Sequence, residues 1–332
     1  MDVRRVDALP SLCPAGDRAP DIKRIALVQM RWYADATLHR QQLTAGVAAA
    51  ADAGAEVVFL PELTLSRYPA DTFPEGRADQ TAEPLEGGPT HRFAAELAAR
   101  YDLFVHASLF EHSGASDGRG LNTAIIVSPA GQIVAHTRKL HIPVTAGYYE
   151  DQYFAPGNDG TPYPVHTLTL DSGELPIGLP TCWDEWFPEV ARCYALAGAG
   201  LLAYPTAIGS EPDYPAFDTE PLLRQVIVGH AIANGLFIAV PNRFGDEGTL
   251  SFYGSSFIVD PFGRILAEAP RDREMVLVAD IDLGQRRDWL TLFPFLATRR
   301  PDTYESLVAP IRNPRGPNGA AENGGIPGVE PR

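Results

Sequence analysis

Residues 179–189 read Leu179-Pro180-Thr181-Cys182-Trp183-Asp184-Glu185-Trp186-Phe187-Pro188-Glu189, and this stretch decides the fold prediction. An apolar run over residues 175–179 leads into it, and an amphipathic segment over residues 189–196 follows Pro188. Proline is favoured at the first position of a helix, so the order predicts a strand, a sharp turn at Cys182 and a helix. The start of a helix favours a thiolate, which makes Cys182 a candidate nucleophile. A buried, inert cysteine is the alternative interpretation.

The rest of the chain alternates between apolar runs and amphipathic helical segments, as is typical of an α/β protein. The predicted strands cover residues 24–29, 56–60, 103–110, 175–179, 201–204, 236–240 and 275–281, and the predicted helices cover residues 36–53, 90–101, 189–196 and 222–234. Two further segments, residues 123–135 and 255–267, each hold two short apolar runs around a Pro- and Gly-containing turn, which predicts two hairpins. Their recurrence predicts an internal two-fold repeat and a sheet with mixed strand directions.

The ends of the chain differ from its middle in composition. Residues 1–22 mix charges and prolines, which predicts an irregular N-terminal arm, and residues 313–332 are rich in Gly and Pro, which predicts a loose tail. We interpret residues 23–312 as one domain.

Charge and cysteine content exclude several classes of function. The chain has 27 Lys and Arg against 42 Asp and Glu, a net charge of −15, which gives it no electrostatic reason to bind nucleic acid or an anionic membrane. Three cysteines make no disulfide framework, and no signal peptide or apolar run of about 18 residues is visible. The histidines show no short metal-ligand spacing. We therefore expect a cytoplasmic protein that acts on a small molecule without a metal or cofactor.

Three polar residues stand where apolar runs end. Glu62 follows the run at residues 56–60, Lys139 follows the second strand of the first hairpin, and Cys182 follows its own strand. In α/β sheets, sites gather beyond the strand ends, so these residues are expected to converge. A carboxylate can take the thiol proton, a thiolate can attack a carbonyl carbon, and an ammonium can stabilise the oxyanion. Taken singly, Glu62 as a turn cap and Lys139 as a solvated edge residue are the alternatives.

The segments around these residues make the chain recognisable. Phe59-Leu60-Pro61-Glu62-Leu63, Arg138-Lys139-Leu140-His141-Ile142-Pro143 and Cys182-Trp183-Asp184-Glu185-Trp186-Phe187-Pro188-Glu189 resemble, in order and spacing, the three motifs of the carbon–nitrogen hydrolase (nitrilase) superfamily. This resemblance implies a four-layer α-β-β-α sandwich, and subunits that assemble as a homodimer or a higher even homo-oligomer.

The resemblance also implies roles for the residues. Glu62 is the general base, Lys139 stabilises the oxyanion, and Cys182 is the nucleophile of covalent amide hydrolysis. A second family glutamate falls on Glu150, where it positions the substrate and supports the lysine. The substrate-contact residues implied in this way are Tyr68, Trp183, Asp184, Trp186, Thr206 and Ala207, and the backbone N–H of Trp183 shares the oxyanion.

Within the superfamily, the nucleophile motif most resembles the N-carbamoylputrescine amidohydrolase branch. Branches that act on N-carbamoyl amino acids carry basic residues after the cysteine, whereas this chain has Asp184 and Glu185. Acidic residues there repel a carboxylate and tolerate an ammonium, although Asp184 as the N-cap of the helix at Pro188 is an alternative. The chain departs from that branch at Val144-Thr145-Ala146, at Arg67 and at Pro180.

These departures leave other functions open. One is an amidase of different scope, acting on a primary amide or on an N-carbamoyl-β-amino acid whose carboxylate Arg67 or Arg243 holds. A nitrilase is less favoured because its cysteine is usually followed by Trp-Glu. A family member that has lost catalysis and only binds is the third alternative.

Overall fold

The computed structural model describes residues 1–157 and 160–309. Met1–Phe293 form one compact unit. A second unit begins at Pro294, and its described part contains 3₁₀ turns at Pro301–Thr303 and Glu305–Leu307. The predicted tail, residues 313–332, lies outside the described residues, as do residues 310–312 of the predicted domain.

Helices and strands alternate along the described chain much as the sequence predicts. The helices are α1 (Ala36–Asp52), α2 (Pro89–Tyr101), α3 (Pro188–Leu196), α4 (Glu220–Asn234) and α5 (Gly284–Leu292). The strands are β1 (Asp2–Val6), β2 (Ile22–Gln29), β3 (Val57–Phe59), β4 (Phe104–Glu111), β5 (Leu121–Val127), β6 (Ile133–Arg138), β7 (Val144–Thr145), β8 (Tyr148–Tyr149), β9 (His166–Leu170), β10 (Gly173–Gly178), β11 (Leu201–Ala203), β12 (Phe237–Val240), β13 (Phe244–Asp246), β14 (Ser251–Tyr253), β15 (Phe257–Val259), β16 (Ile265–Glu268) and β17 (Met275–Asp282).

The strands form two large sheets that repeat one pattern. The first has the order β1-β17-β2-β3-β4-β5-β6 and the second the order β16-β15-β12-β11-β10-β9. In the first, β2, β3 and β4 run parallel, with antiparallel β5 and β6 after them. In the second, β10, β11 and β12 run parallel, with antiparallel β15 and β16 after them. The predicted two-fold repeat and the mixed strand directions are therefore confirmed.

The two sheets pack face to face between layers of helices. On β2, Ile25 and Leu27 lie in the core between the sheets, whereas Ala26 and Val28 pack with residues of α1 and α2. Successive side chains of a strand point to opposite faces, so both faces of this sheet are buried. On the second sheet, Gly178 leaves room for the Tyr194 ring of α3. The predicted four-layer α-β-β-α sandwich is confirmed.

The N-terminal arm is the clearest error in the predicted fold. Asp2–Val6 is not irregular, because it forms β1 and pairs in parallel with β17. Farther along the arm, Arg18 forms ion pairs with Asp282 and Asp288. The side chains of Asp2 to Arg5 are exposed, so β1 is an edge strand held by its backbone and shows none of the apolar alternation on which the prediction relied.

A buried histidine gives the fold a testable pH dependence. His106 lies on β4 beside Phe59, and burial lowers its pKa from 6.5 to about 3. The His106 ring therefore binds a proton more readily in the unfolded chain than in the folded one. The free energy of unfolding accordingly falls as pH drops from 6.5 toward 3. Between pH 8 and pH 5 the wild type should lose about 2 kcal/mol of unfolding free energy more than His106→Met.

Urea unfolding of both proteins at each pH checks this expectation. The matched control is His112→Gln, which removes a histidine with an exposed side chain in place of a buried one. Equal pH dependence of the wild type and His106→Met would contradict the assignment.

Candidate active site

Glu62, Lys139 and Glu150 meet beyond the ends of strands in the first sheet. Glu62 follows β3 and Lys139 follows β6 directly, whereas Glu150 begins the 3₁₀ turn Glu150–Gln152. The Lys139 Nζ atom lies 3.1 Å from Glu62 Oε1 and 2.7 Å from Glu150 Oε2. All three side chains are at most 1% exposed. The structure therefore brings together three of the four predicted catalytic residues in direct contact.

The fourth, Cys182, lies at a strained turn after β10. It has a φ of +45° and begins the 3₁₀ turn Cys182–Trp186, while its main-chain N–H donates to the Pro205 carbonyl at 3.0 Å. A positive φ is uncommon for residues other than glycine and persists only where the surroundings impose it. Cys182 is buried and close enough to Glu62, Lys139 and Glu150 to interact with them electrostatically. The turn thus places a thiol beside the charged trio.

The environment of Cys182 keeps the resting thiol protonated. Burial raises its pKa well above the usual value, and Glu62 raises it further, whereas Lys139 acts in the opposite direction. Glu62 Oε1 accepts from Lys139 and, at 2.7 Å, from Asn122 Nδ2, but Glu62 Oε2 has no hydrogen-bond partner among the described residues. One oxygen of the base is therefore fixed and the other is free to accept a proton.

Lys139 remains charged despite its burial. Burial by itself lowers the pKa of Lys139, but Glu150 and Glu62 together raise it well above its usual value. Burial raises the pKa of Glu150 to about 7, while Lys139 opposes this shift. Tyr68 donates its hydroxyl to Glu150 Oε1 at 2.8 Å. A charged, oriented ammonium in a buried site is suited to stabilising an oxyanion.

Asp184 differs from its prediction. Its carboxylate accepts hydrogen bonds from the main-chain N–H groups of Thr181 and His141, at 3.1 and 3.0 Å, and lies 2.7 Å from His141 Nδ1. With Thr181 it forms a capping box on the turn Cys182–Trp186, whereas the N-cap of α3 is Phe187. The prediction of Asp184 as the cap of the helix at Pro188 is therefore wrong, and its contact with a substrate stays a prediction. It ties the nucleophile turn to the segment after Lys139.

The remaining predicted contact residues surround the same turn. Trp183 and Trp186 are half-buried, with ring centroids 6.3 Å apart. The Thr206 hydroxyl donates to Tyr204 O at 2.8 Å, and its oxygen lies 3.3 Å from Glu185 Oε2. Ala207 packs in one buried cluster with Tyr68. Their contact with a substrate remains a prediction.

Asn122 and Arg243 are site residues that sequence reasoning missed or misplaced. Asn122 lies on β5 and holds Glu62, and its only sequence signal is a polar side chain within a buried strand. Arg243 is 4% exposed and donates to the main-chain oxygens of Glu62 (2.6 Å), Leu63 (3.2 Å) and Ser66 (3.3 Å). It also pairs with Glu247 at 2.8 Å.

Neither arginine proposed for a substrate carboxylate is free to hold one. Arg243 is committed to the loop after the base, where Leu63 has a φ of +48°. Arg67 pairs with Asp71 and donates to the Glu247 carbonyl. Both arginines therefore hold segments of the chain around the site in place.

Replacing Arg243 with lysine tests this positioning role. A lysine ammonium lacks the planar fork needed to reach the Glu62, Ser66 and Glu247 oxygens together. We expect kcat to fall by about 10- to 100-fold with less than about a threefold change in KM, because the base is misplaced and substrate contacts are kept. Steady-state kinetics check this, with Arg67→Lys as the matched control and a smaller effect expected there. A rise in KM confined to carboxylate-bearing substrates would instead place Arg243 in contact with the substrate.

Within residues 1–157 and 160–309, no cluster of three or more His, Cys, Asp or Glu side chains is placed to hold a metal ion. No helix in the same ranges combines the length and the apolar character that crossing a membrane requires.

Comparison with known proteins assigns the chain to a family. Residues 24–290 match the family model described as "Carbon-nitrogen hydrolase". The chain is 33% identical to "Citrullinase" of Francisella tularensis, over 86% of this chain and 98% of that protein. It is 35% identical to "N-carbamoylputrescine amidase" of Arabidopsis thaliana, over 77% of this chain and 85% of that one.

A solved structure agrees with the sequence comparisons. The carbon–nitrogen hydrolase of Helicobacter pylori G27 superposes with a TM-score of 0.75 at 30% identity, covering 87% of this chain and 99% of that one. The chain therefore belongs to the carbon–nitrogen hydrolase family and is an enzyme that acts on non-peptide amide bonds.

Proposed function

We propose that the chain hydrolyses the C–N bond of an N-carbamoyl amine, such as N-carbamoylputrescine, through a covalent intermediate on Cys182. The observation that carries this proposal is the position of Lys139 between two carboxylates, where one oxygen of Glu62 stays free beside a buried thiol. A nucleophile, a base and a charged oxyanion donor are what acyl transfer requires.

The mechanism follows from these positions. Glu62 Oε2 accepts the Cys182 proton as sulfur attacks the carbonyl carbon, because the thiol is protonated at rest. Lys139 and the Trp183 N–H stabilise the oxyanion of the tetrahedral species. Its collapse breaks the C–N bond, and Glu62 gives the proton to the departing ammonia or amine. Water activated by Glu62 then attacks the acyl carbon, and the thiol leaves with a proton. Glu150 holds Lys139 throughout.

The charges around the site support a cationic substrate. Glu62, Glu150 and Glu185 are buried acids near one buried lysine, and Arg67 and Arg243 are engaged elsewhere. A substrate carboxylate would therefore lie near buried acids with neither arginine available to pair with it, whereas a substrate ammonium could pair with one of these acids. Citrulline and N-carbamoylputrescine, the compounds in the names of the two relatives, both carry a terminal carbamoyl group and an ammonium on a short carbon chain. Citrulline also carries a carboxylate beside its ammonium, so the buried acids of this site favour N-carbamoylputrescine of the two.

Assembly and setting are part of the proposal. We propose a homodimer or higher even homo-oligomer, which is supported by apolar side chains exposed on the helical layer beside the second sheet, at Leu196, Leu222 and Leu292. Three cysteines in a chain of 332 residues fit a cytoplasmic protein, and an N-carbamoylputrescine substrate would fit a role in polyamine synthesis. The proposed catalytic domain spans residues 23–312.

Ammonia release from a panel of compounds tests the function. The purified protein is given N-carbamoylputrescine, citrulline, N-carbamoyl-β-alanine and a plain aliphatic amide, with Cys182→Ala as the blank. We expect the highest kcat/KM with N-carbamoylputrescine. If the protein prefers N-carbamoyl-β-alanine or the plain amide, and Cys182→Ala releases no ammonia, the mechanism stands and the proposed substrate is rejected. If no ammonia is released from any of the four compounds, the proposed function is rejected.

A further inference from the structure

Glu185 is a buried acid at the site to which the mechanism gives no role. It lies in the nucleophile turn Cys182–Trp186 and is 0% exposed. It is close enough to Cys182, Glu62 and Lys139 to interact with each electrostatically.

The carboxyl of Glu185 is only partly satisfied. Its Oε2 has one long contact, 3.3 Å, with the Thr206 hydroxyl, and its Oε1 has no hydrogen-bond partner within residues 1–157 and 160–309. Among the ion pairs of residues 1–157 and 160–309, none includes Glu185, although Lys139 interacts with it at longer range. Burial, and then the Glu62 carboxylate, raise its pKa well above the usual value.

The neighbouring acid in the turn, Asp184, does not lack hydrogen-bond partners in this way. Asp184 is equally buried, but three main-chain N–H groups and the His141 ring satisfy its carboxylate. A buried carboxyl without partners costs several kcal/mol, and folds seldom keep one without a use. Glu185 contributes little to the turn that Asp184 does not already supply, so the missing partner is expected to come from outside the chain.

We propose that Glu185 determines specificity by binding the ammonium at the far end of the substrate. This inference rests on the proposed function, because it places the reacting carbonyl at Cys182. The ammonium donates to Glu185 Oε1, and the carboxyl proton passes to solvent water as the cation binds, so that a carboxylate–ammonium pair replaces the neutral acid. The long bond to Thr206 keeps the carboxylate oriented, so Thr206 acts through Glu185 as a positioning residue.

Matched substrate pairs isolate the contact. N-carbamoylputrescine and pentylurea share a carbamoyl group and a four-methylene chain, but the first ends in an ammonium and the second in a methyl. 5-Aminopentanamide and hexanamide form the same pair for plain amides. We expect the wild type to prefer the cation of each pair by roughly 30-fold or more in kcat/KM, as for a buried charge pair.

Glu185→Gln should remove that preference and leave kcat/KM for the methyl-ended compounds within about threefold of the wild type. Glutamine keeps the shape of the glutamate side chain and its contact with Thr206, and it replaces an unpaired buried carboxyl. The melting temperature of the variant should therefore not fall. The matched control is Asp184→Asn, which should lower the melting temperature and keep the preference for cations.

The outcomes separate this inference from the proposed function. If the wild type hydrolyses both members of a pair equally, or if Glu185→Gln slows both members alike, the ammonium site is rejected and the amidase function stands. If no member of either pair is hydrolysed, the proposed function fails and the ammonium site fails with it.

Discussion

Replacing Cys182 with alanine should reduce kcat/KM by at least about 10⁴-fold, because the covalent route has no other nucleophile. The fold should survive this change. Cys182 lies at the end of a strand rather than inside either core cluster, so losing its sulfur should change the unfolding free energy by no more than about 1 kcal/mol. Ammonia release with the preferred substrate, and urea unfolding, measure the two effects.

A second cysteine provides the matched control. Cys193 lies on α3, half-buried and outside the site, so Cys193→Ala should keep activity within about twofold of the wild type. If Cys182→Ala retained more than a few per cent of the wild-type activity while folded, the covalent mechanism would be wrong.

Replacing Lys139 with methionine should damage both catalysis and stability. Methionine nearly matches the volume of lysine but leaves Glu62 and Glu150 buried without their cation. Removing one partner of a buried ion pair costs about 3–5 kcal/mol, and we expect a loss near the lower figure at pH 8. Without the oxyanion donor, kcat should fall by at least about 10³-fold.

The stability loss should depend on pH in a defined direction. Burial already raises the pKa of Glu150 to about 7, and without Lys139 this folded pKa rises further above that of the unfolded chain, since the opposing effect of the ammonium is gone. A group with a raised folded pKa favours the protonated folded state, so stability falls as pH rises through the range between the two values. The difference from the wild type should therefore be smaller at pH 5 than at pH 8, as urea unfolding would show.

Adding Glu150→Gln to Lys139→Met separates charge from packing. The double variant should regain part of the lost stability, because one unpaired buried carboxyl has been removed, while its activity stays as low as that of the single variant. Glu150→Gln alone is the control. A double variant no more stable than Lys139→Met at pH 8 would contradict the electrostatic explanation.

Predictions from the sequence were correct where a local pattern is compatible with only one kind of structure. The two Pro- and Gly-containing turns, at residues 128–131 and 260–263, predicted the paired hairpins and hence the repeat. The strand ends predicted that Glu62, Lys139 and Cys182 converge, because the polar side chain after an apolar strand is visible without knowing the register. Edge strand β1 was missed since its pairing uses only the backbone.

Side-chain direction was the part that the sequence could not supply. Asp184 and Glu185 are adjacent acids in the same turn, yet one caps the backbone and the other keeps an unpartnered oxygen. Which acid faces the backbone is set by the φ of Cys182 and by the nearby segment after Lys139, both of which depend on tertiary structure. Arg243 was likewise read as a substrate contact because nothing local shows that it reaches the loop after Glu62.

Capture of the acyl group by hydroxylamine tests the central claim, a covalent intermediate on Cys182, most directly. The protein is incubated with the compound that it hydrolyses fastest, with and without hydroxylamine, and the products are identified by mass spectrometry. We expect the hydroxylamine adduct of the acyl group to form in competition with hydrolysis, because a thioester or thiocarbamate on Cys182 reacts with either water or hydroxylamine. We expect no adduct with Cys182→Ala. Unchanged hydrolysis without any adduct at high hydroxylamine concentration would show that water attacks the substrate directly, and the covalent mechanism would be wrong.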